Sequence, residues 1–299
     1  MLSTTLERQP QCQCVRLVPN DFTTSLPHDF AMSDVESALS LAVTESGTFV
    51  WEVPDGWQQG RGAWGGLSIG ALVRAILAAQ SDAKRAIRSI SCQIFAPVEV
   101  GTHSIVASLD RRGSAMSTWS AKLIGSSGEA CVQMTAITGV ERILDGLVGS
   151  HNWPIVSAPT IPPWQGIPVL RLPDFAPAFS HHIEQRLVEG IPLSGAPAKA
   201  LGWVRFPGQG HWSGEQLLAI VDAWWPTVLA PLPAMRPMAT VNFAAHLLVD
   251  PTSIPVGEPL IFESFMTGLH DGFVSETRRL WTADGRLAVE NLQSIALIR

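Results

Sequence analysis

The chain has 299 residues, 46% of them hydrophobic, enough to bury a large core as one big domain or two fused ones. Its 20 basic and 26 acidic side chains give a net charge of −6 and a pI near 5.7. The Lys and Arg are scattered, which argues against nucleic acid as a partner, since that needs basic patches.

At the N-terminus, "MLSTTLERQPQCQC" lacks the apolar run of a signal peptide. Cys12 and Cys14 have no second ligand pair to complete a metal site, and four cysteines are too few for a disulfide framework. Residues 1–44 therefore read as an N-terminal extension of a soluble cytoplasmic protein. From there "GTFVWEVPDGW" reads as a strand and turn, and a loop leads into the helix "GGLSIGALVRAILAAQ". Four strand-like runs follow, "RSISCQIFAPVEV", "GTHSIVASLDRRG", "MSTWSAKLIGSSG" and "EACVQMTAITG", and close a first unit over 45–139. Residues 140–177, with "APTIPPWQGIP" and little periodicity, read as a Pro-rich linker.

The second unit, 178–299, repeats the order. "HHIEQRLVEG" and "ALGWVRFPG" are strand-like, then comes the helix "SGEQLLAIVDAWWP", then "MATVNFAAHLLVD", "GEPLIFESFMTGL", "VSETRRLWTADG" and "RLAVENLQSIALIR". Ser213 and Gln216 form a capping box at the helix start, and Pro226 is expected to end it. Every residue from Leu217 to Trp225 except Asp222 is apolar, so this helix is expected to be buried nearly all round. The longest apolar stretch, "LLAIVDAWWPTVLAPLPAM", holds Asp222 and three prolines and makes a poor membrane span. The turn pieces "SSGEACV" and "ADGRLAV" sit at matching places in the two units. One helix followed by antiparallel strands, twice, predicts an α+β double hotdog: two fused units, each a sheet wrapped around one long central helix. Aligning Gly66 with Gly214 sets Arg74 at the place of Asp222, and fused hotdogs set their helices side by side. Arg74 is thus the expected partner of that acid.

Residues 66–70, Gly-Leu-Ser-Ile-Gly, spell the nucleophile elbow of serine hydrolases. That motif follows a buried strand in an alternating βαβ fold, whereas "DGWQQGRGAW" before it is a polar, glycine-rich loop. Gly66 and Gly70 read better as points of close backbone approach at a helix start, and Ser68 as a bystander. A serine esterase acting through Ser68 stays as the lesser alternative. His181, His182 and His246 read as strand histidines, since no second cluster completes a metal site.

The order of elements, the repeat and the segments "LLAIVDAWWP", "ATVNFAAHLL" and "NLQSIALIR" resemble the double-hotdog acyl-CoA thioesterases, the thioesterase II group and its wider superfamily. The resemblance spans residues 45 to 299 and is weakest in the linker. It implies that Asp222, Thr240 and Gln293 hold a hydrolytic water, that the substrate is an acyl-CoA or acyl-carrier thioester, and that the chain is a homo-oligomer of fatty-acid metabolism.

Those residue types suit the chemistry in their own right. A thiolate leaves readily, so a thioester needs an oriented water, a base and donors for the developing oxyanion. An aspartate in an apolar helix is a better base than a solvated one, and Thr240 and Gln293 can fix a water without competing for its proton. Gly65 and Gly66 leave backbone N–H groups open for a carbonyl oxygen or a phosphate. Trp64, Trp224 and Trp225 are candidates to line an acyl pocket, with core packing as the default. Strand alternation, however, puts Thr240 on the face opposite Val241, Phe243, Ala245 and Leu247, and so away from the helix unless a bulge intervenes. Gln293 could be a satisfied core amide. No P-loop or dinucleotide fingerprint is present, so no cofactor is expected. An acyl-thioester-binding or acyl-transferring protein is the main alternative to a hydrolase.

Overall fold

The computed structural model describes residues 34–142, 156–208 and 210–298. The Cys12–Cys14 pair, residues 1–33 of the N-terminal extension and residues 143–155 of the linker lie outside them. In the first half the elements are α1 (Val35–Ala38), β1 (Ala42–Val43), β2 (Phe49–Val53), a small hairpin of β3 (Gln58–Gln59) and β4 (Gly62–Ala63), and α2 (Gly65–Ala79). They continue with β5 (Ala86–Ile94), β6 (Gly101–Arg112), β7 (Met116–Ile124) and β8 (Ala130–Gly139). The second half has β9 (Glu184–Glu189), β10 (Lys199–Arg205), α3 (Gly214–Ile220), β11 (Met238–Leu247), β12 (Leu260–His270), β13 (Phe273–Trp281) and β14 (Leu287–Leu297).

Apart from the hairpin, the strands form one antiparallel sheet of twelve, in the order β1-β2-β6-β7-β8-β5-β11-β14-β13-β12-β10-β9. Outward from the β5–β11 seam, both directions pass through the same parts: the strand after the helix, then the last, third and second of the run, then the strand before the helix. The fold is a double hotdog. At the seam Phe243 lies opposite Cys92 and Ala245 opposite Ile90, so the two apolar faces join into one. The matching turns hold Gly128 at φ +83° and Gly285 at φ +88°, a left-handed conformation that glycine adopts freely.

The helices pack antiparallel under that face. A Cβ on Gly66 would meet the Ala219 carbonyl at 2.5 Å, and one on Gly70, a turn later, would lie 3.4 Å from the Glu215 carbonyl. The Gly66–Gly70 spacing therefore serves the contact of α2 with α3, as expected. Ser68 points into the core at 2% exposure, and its Oγ has no hydrogen-bond partner.

The second helix departs from expectation. The capping box is present, but α3 ends at Ile220 after seven residues, so among the described residues only α2, with fifteen, is a long helix. Pro226 acts four residues upstream of itself. It has no N–H for the Asp222 carbonyl, and its ring would clash there. The chain instead leaves the helix through a tight turn, with the Asp222 N–H on the Ala219 carbonyl at 3.0 Å. The indole of Trp64 takes the Asp222 carbonyl at 3.0 Å, and Gln185 takes that of Ala223 at 2.9 Å. The described part of the linker is packed: Trp164 lies under Arg186 and Arg205, and Pro162 accepts the Trp203 indole N–H.

Candidate active site

Asp222 stands where the turn after α3 meets the first turn of α2, with 9% of its surface exposed. Its Oδ1 accepts from Gln293 Nε2 at 2.8 Å and from Arg278 Nη1 at 3.2 Å. The Gly66 N–H faces the same carboxylate, so the acid of one unit sits on the positive end of the other unit's helix. Oδ2 is turned to Gly65, where a Cβ would come within 3.0 Å of it. Gly65 is half-buried and Gly66 buried, so the Gly65 side is the less enclosed flank of the acid.

Gln293 lies on β14, opposite Glu276 of β13 and Phe243 of β11, at 1% exposure. Thr240 Oγ1 donates to Gln293 Oε1 at 3.1 Å, which turns the amide N–H to Asp222. The alternation problem is resolved by a bulge. The β11–β14 register slips between Thr240 and Asn242, and the extra residue brings Thr240 opposite Ile295, onto the helix-facing side. The structure thus joins Thr240, Gln293 and Asp222 in one hydrogen-bonded row.

The expected partner of the acid, Arg74, is elsewhere. It pairs with Glu36 at 2.7 Å and Glu215 at 3.1 Å. Antiparallel packing explains the difference: it sets residue 74 beside the start of α3, as it sets residue 222 beside the start of α2. The cation on Asp222 is Arg278, whose Nε also donates to Glu276 Oε1 at 2.8 Å. Glu276 Oε2 accepts both the backbone N–H and the hydroxyl of Thr227, each at 2.6 Å. Arg278 is 1% exposed and Glu276 fully buried. Sequence reasoning missed both, yet a signal existed: "VSETRRLW" places Glu276 and Arg278 in alternation with Val274 and Leu280, on a face the strand buries.

Burial pushes the Asp222 carboxyl above the ordinary aspartate value. Arg278, the Gln293 amide and the Gly66 N–H pull it back, and the neighbouring Glu276 charge adds to the rise. Trp64, Trp224 and Trp225 each make packing contacts around this site. Trp64 stacks on Phe179 at 4.9 Å while its N–H holds the Asp222 backbone. Trp224 stacks on Phe262 at 4.8 Å, and the Trp225 N–H donates to the Gly190 carbonyl. Two clefts, of about 350 and 370 Å³, lie away from the acid: one beside Val35, Glu36 and Gln216, the other beside Val188, Gly190 and Pro197. His181 and His182 end a 3₁₀ turn rather than lying in a strand, and His182 stacks on Trp57 at 4.0 Å. Among the described residues no His, Cys, Asp and Glu cluster could hold a metal, and no helix is long and apolar enough to cross a membrane.

Two family profiles match the chain in series: the acyl-CoA thioesterase N-terminal domain over residues 53–139, and the acyl-CoA thioesterase C-terminal domain over 155–297. Among solved structures, a conserved hot dog protein of unknown function from Alicyclobacillus acidocaldarius aligns at a TM-score of 0.80 and 20% identity, covering 89% of this chain and 98% of that one. A Thermobifida fusca protein described as a candidate thioesterase II aligns at 0.73 and 22% identity, over 90% and 98%. The acyl-CoA thioesterase II of Mycobacterium marinum aligns at 0.69 and 15% identity, over 88% and 96%. No curated protein matches the sequence.

Proposed function

The chain belongs to the acyl-CoA thioesterase family, with that family's N- and C-terminal domains in order, and from this premise we propose that it hydrolyses acyl-CoA or acyl-carrier thioesters through a water held by Asp222, Thr240 and Gln293. The observation that carries the proposal is the row from Thr240 through Gln293 to Asp222 at the N-terminus of α2.

A water on the Gly65 side of Asp222 gives its proton to Oδ2 as it attacks the thioester carbonyl. Thr240 and Gln293 hold the carboxylate and the water in line and take no proton themselves. The Gly65 N–H, one of the first-turn donors that no helix carbonyl serves, is the group assigned here to the developing oxyanion. The thiolate then leaves, and the acid product carries away the water's oxygen. This reading takes the protein as a cytoplasmic homo-oligomer of fatty-acid metabolism that works without a cofactor.

One observation favours a second reading. A guanidinium 3.2 Å from Oδ1 weakens a carboxylate as a base, which suits a protein that binds or transfers acyl thioesters without hydrolysis. A panel of acyl-CoA substrates, followed by free-thiol release, separates the two. The proposal expects turnover of at least one chain length, and tight binding of all without thiol release would replace it with the second reading.

A further inference from the structure

Around Asp222 the core holds three formal charges, two negative and one positive, almost out of reach of solvent. Charges are tolerated there only when each is paired and hydrogen-bonded. Arg278 lies between the two acids, but not evenly: its Nε reaches Glu276 at 2.8 Å, and its Nη1 reaches Asp222 at 3.2 Å. Glu276 is itself pinned, because Thr227 gives it two further hydrogen bonds. Its oxygens accept three contacts and face no open edge, whereas Asp222 keeps Oδ2 against the bare Cα of Gly65.

We infer that Glu276 and Arg278 are positioning residues for Asp222: Glu276 fixes and neutralises the guanidinium, the guanidinium fixes Oδ1, and Oδ2 is left as the oxygen that takes the water's proton. The inference rests on the hydrolytic reading of Asp222. It also answers the objection to that reading, since the positive charge beside the base is already matched by a second acid.

The groups that face the carboxylate are Arg278 and Glu276 from β13, the neutral Gln293 from β14 and the Gly66 N–H from α2. The two charged ones act with opposite sign. Glu276→Gln keeps an acceptor for Thr227 but removes the matching charge, so Arg278 acts on Asp222 alone and the acid titrates at lower pH. Arg278→Gln leaves two acids with no cation between them, so Asp222 titrates at higher pH. Each displacement should be about one pH unit or more, as for a charge within hydrogen-bonding distance.

The test is a ¹³C NMR titration of carboxyl-labelled aspartate in the full chain, with the Asp222 signal assigned by its loss in Asp222→Asn. It is run beside the pH profile of kcat/KM for the best acyl-CoA. The expected result is opposite displacement of the Asp222 midpoint and of the acid limb in the two variants, with Arg278→Lys restoring most of the wild-type profile. A residue needed only for folding would lower the yield of active protein and leave midpoint and limb in place. If wild type releases thiol and Glu276→Gln leaves the midpoint unmoved, the inference is overturned while the hydrolytic reading stands. Opposite midpoint shifts in a protein that releases no thiol would uphold the charge arrangement and remove the hydrolytic reading. Should Arg278→Gln fail to fold, the direction of the shift in Glu276→Gln decides alone.

Discussion

Gly65 and Gly66 are neighbours in the chain and answer to different constraints. At Gly65 a methyl group would sit 3.0 Å from Asp222 Oδ2, on the side from which the proposed water and thioester approach. Gly65→Ala should therefore lower kcat/KM roughly 10²-fold, the cost of a displaced reacting atom, with little change in Tm, since alanine favours a helix. At Gly66 the added carbon would fall 2.3 Å from the Trp64 ring and 2.5 Å from the Ala219 carbonyl. Gly66→Ala should accordingly destabilise by about 1–3 kcal/mol, the range for overpacking, readable as a lower denaturant midpoint. Ser68→Ala should retain most activity, and serine-directed phosphonates should leave the wild-type protein unlabelled, because a partnerless buried hydroxyl has nothing to activate it. Stoichiometric labelling at Ser68 would reinstate the serine esterase.

The elements show where sequence reading reaches and where it stops. Strand runs and the Ser213–Gln216 cap were legible because each is encoded within a dozen residues, and the repeat because those local signals recur in the same order in both halves. Ser213→Ala should cost about 1 kcal/mol of stability without moving the acid limb of the rate profile. The end of α3 was not legible. Pro226 suggested a helix running up to it, but the carbonyl it leaves unserved is four residues back, and the indole that serves that carbonyl comes from residue 64. Thr240 could be placed only conditionally, because a bulge depends on register against β14 and leaves no mark in composition. Arg278 lies 56 residues from Asp222. Its alternation with Val274 and Leu280 could have flagged it as buried, but not as the partner of that acid.

Across the whole molecule the two halves match in topology and differ in charge. One end of the antiparallel helix pair holds Asp222 on the start of α2, and the other holds Arg74 on the start of α3. The chemistry proposed here belongs to the Asp222 end alone. An acid whose value is raised in the folded state contributes stability below its unfolded pKa and loses it as pH rises through the folded one. Asp222 thus opposes folding increasingly as pH rises through its raised folded-state value, and Asp222→Asn should hold or raise Tm while flattening the fall of stability with rising pH. The same replacement preserves shape and removes the base, so it separates a catalytic acid from a structural one. Thiol release by wild type and Asp222→Asn, measured at saturating acyl-CoA at pH 7 with Tm in parallel, should show kcat falling roughly 10²-fold or more, as for a lost general base, in a protein at least as stable. An Asn variant that turns over at the wild-type rate, or that loses activity only as far as it loses folded protein, would contradict the account.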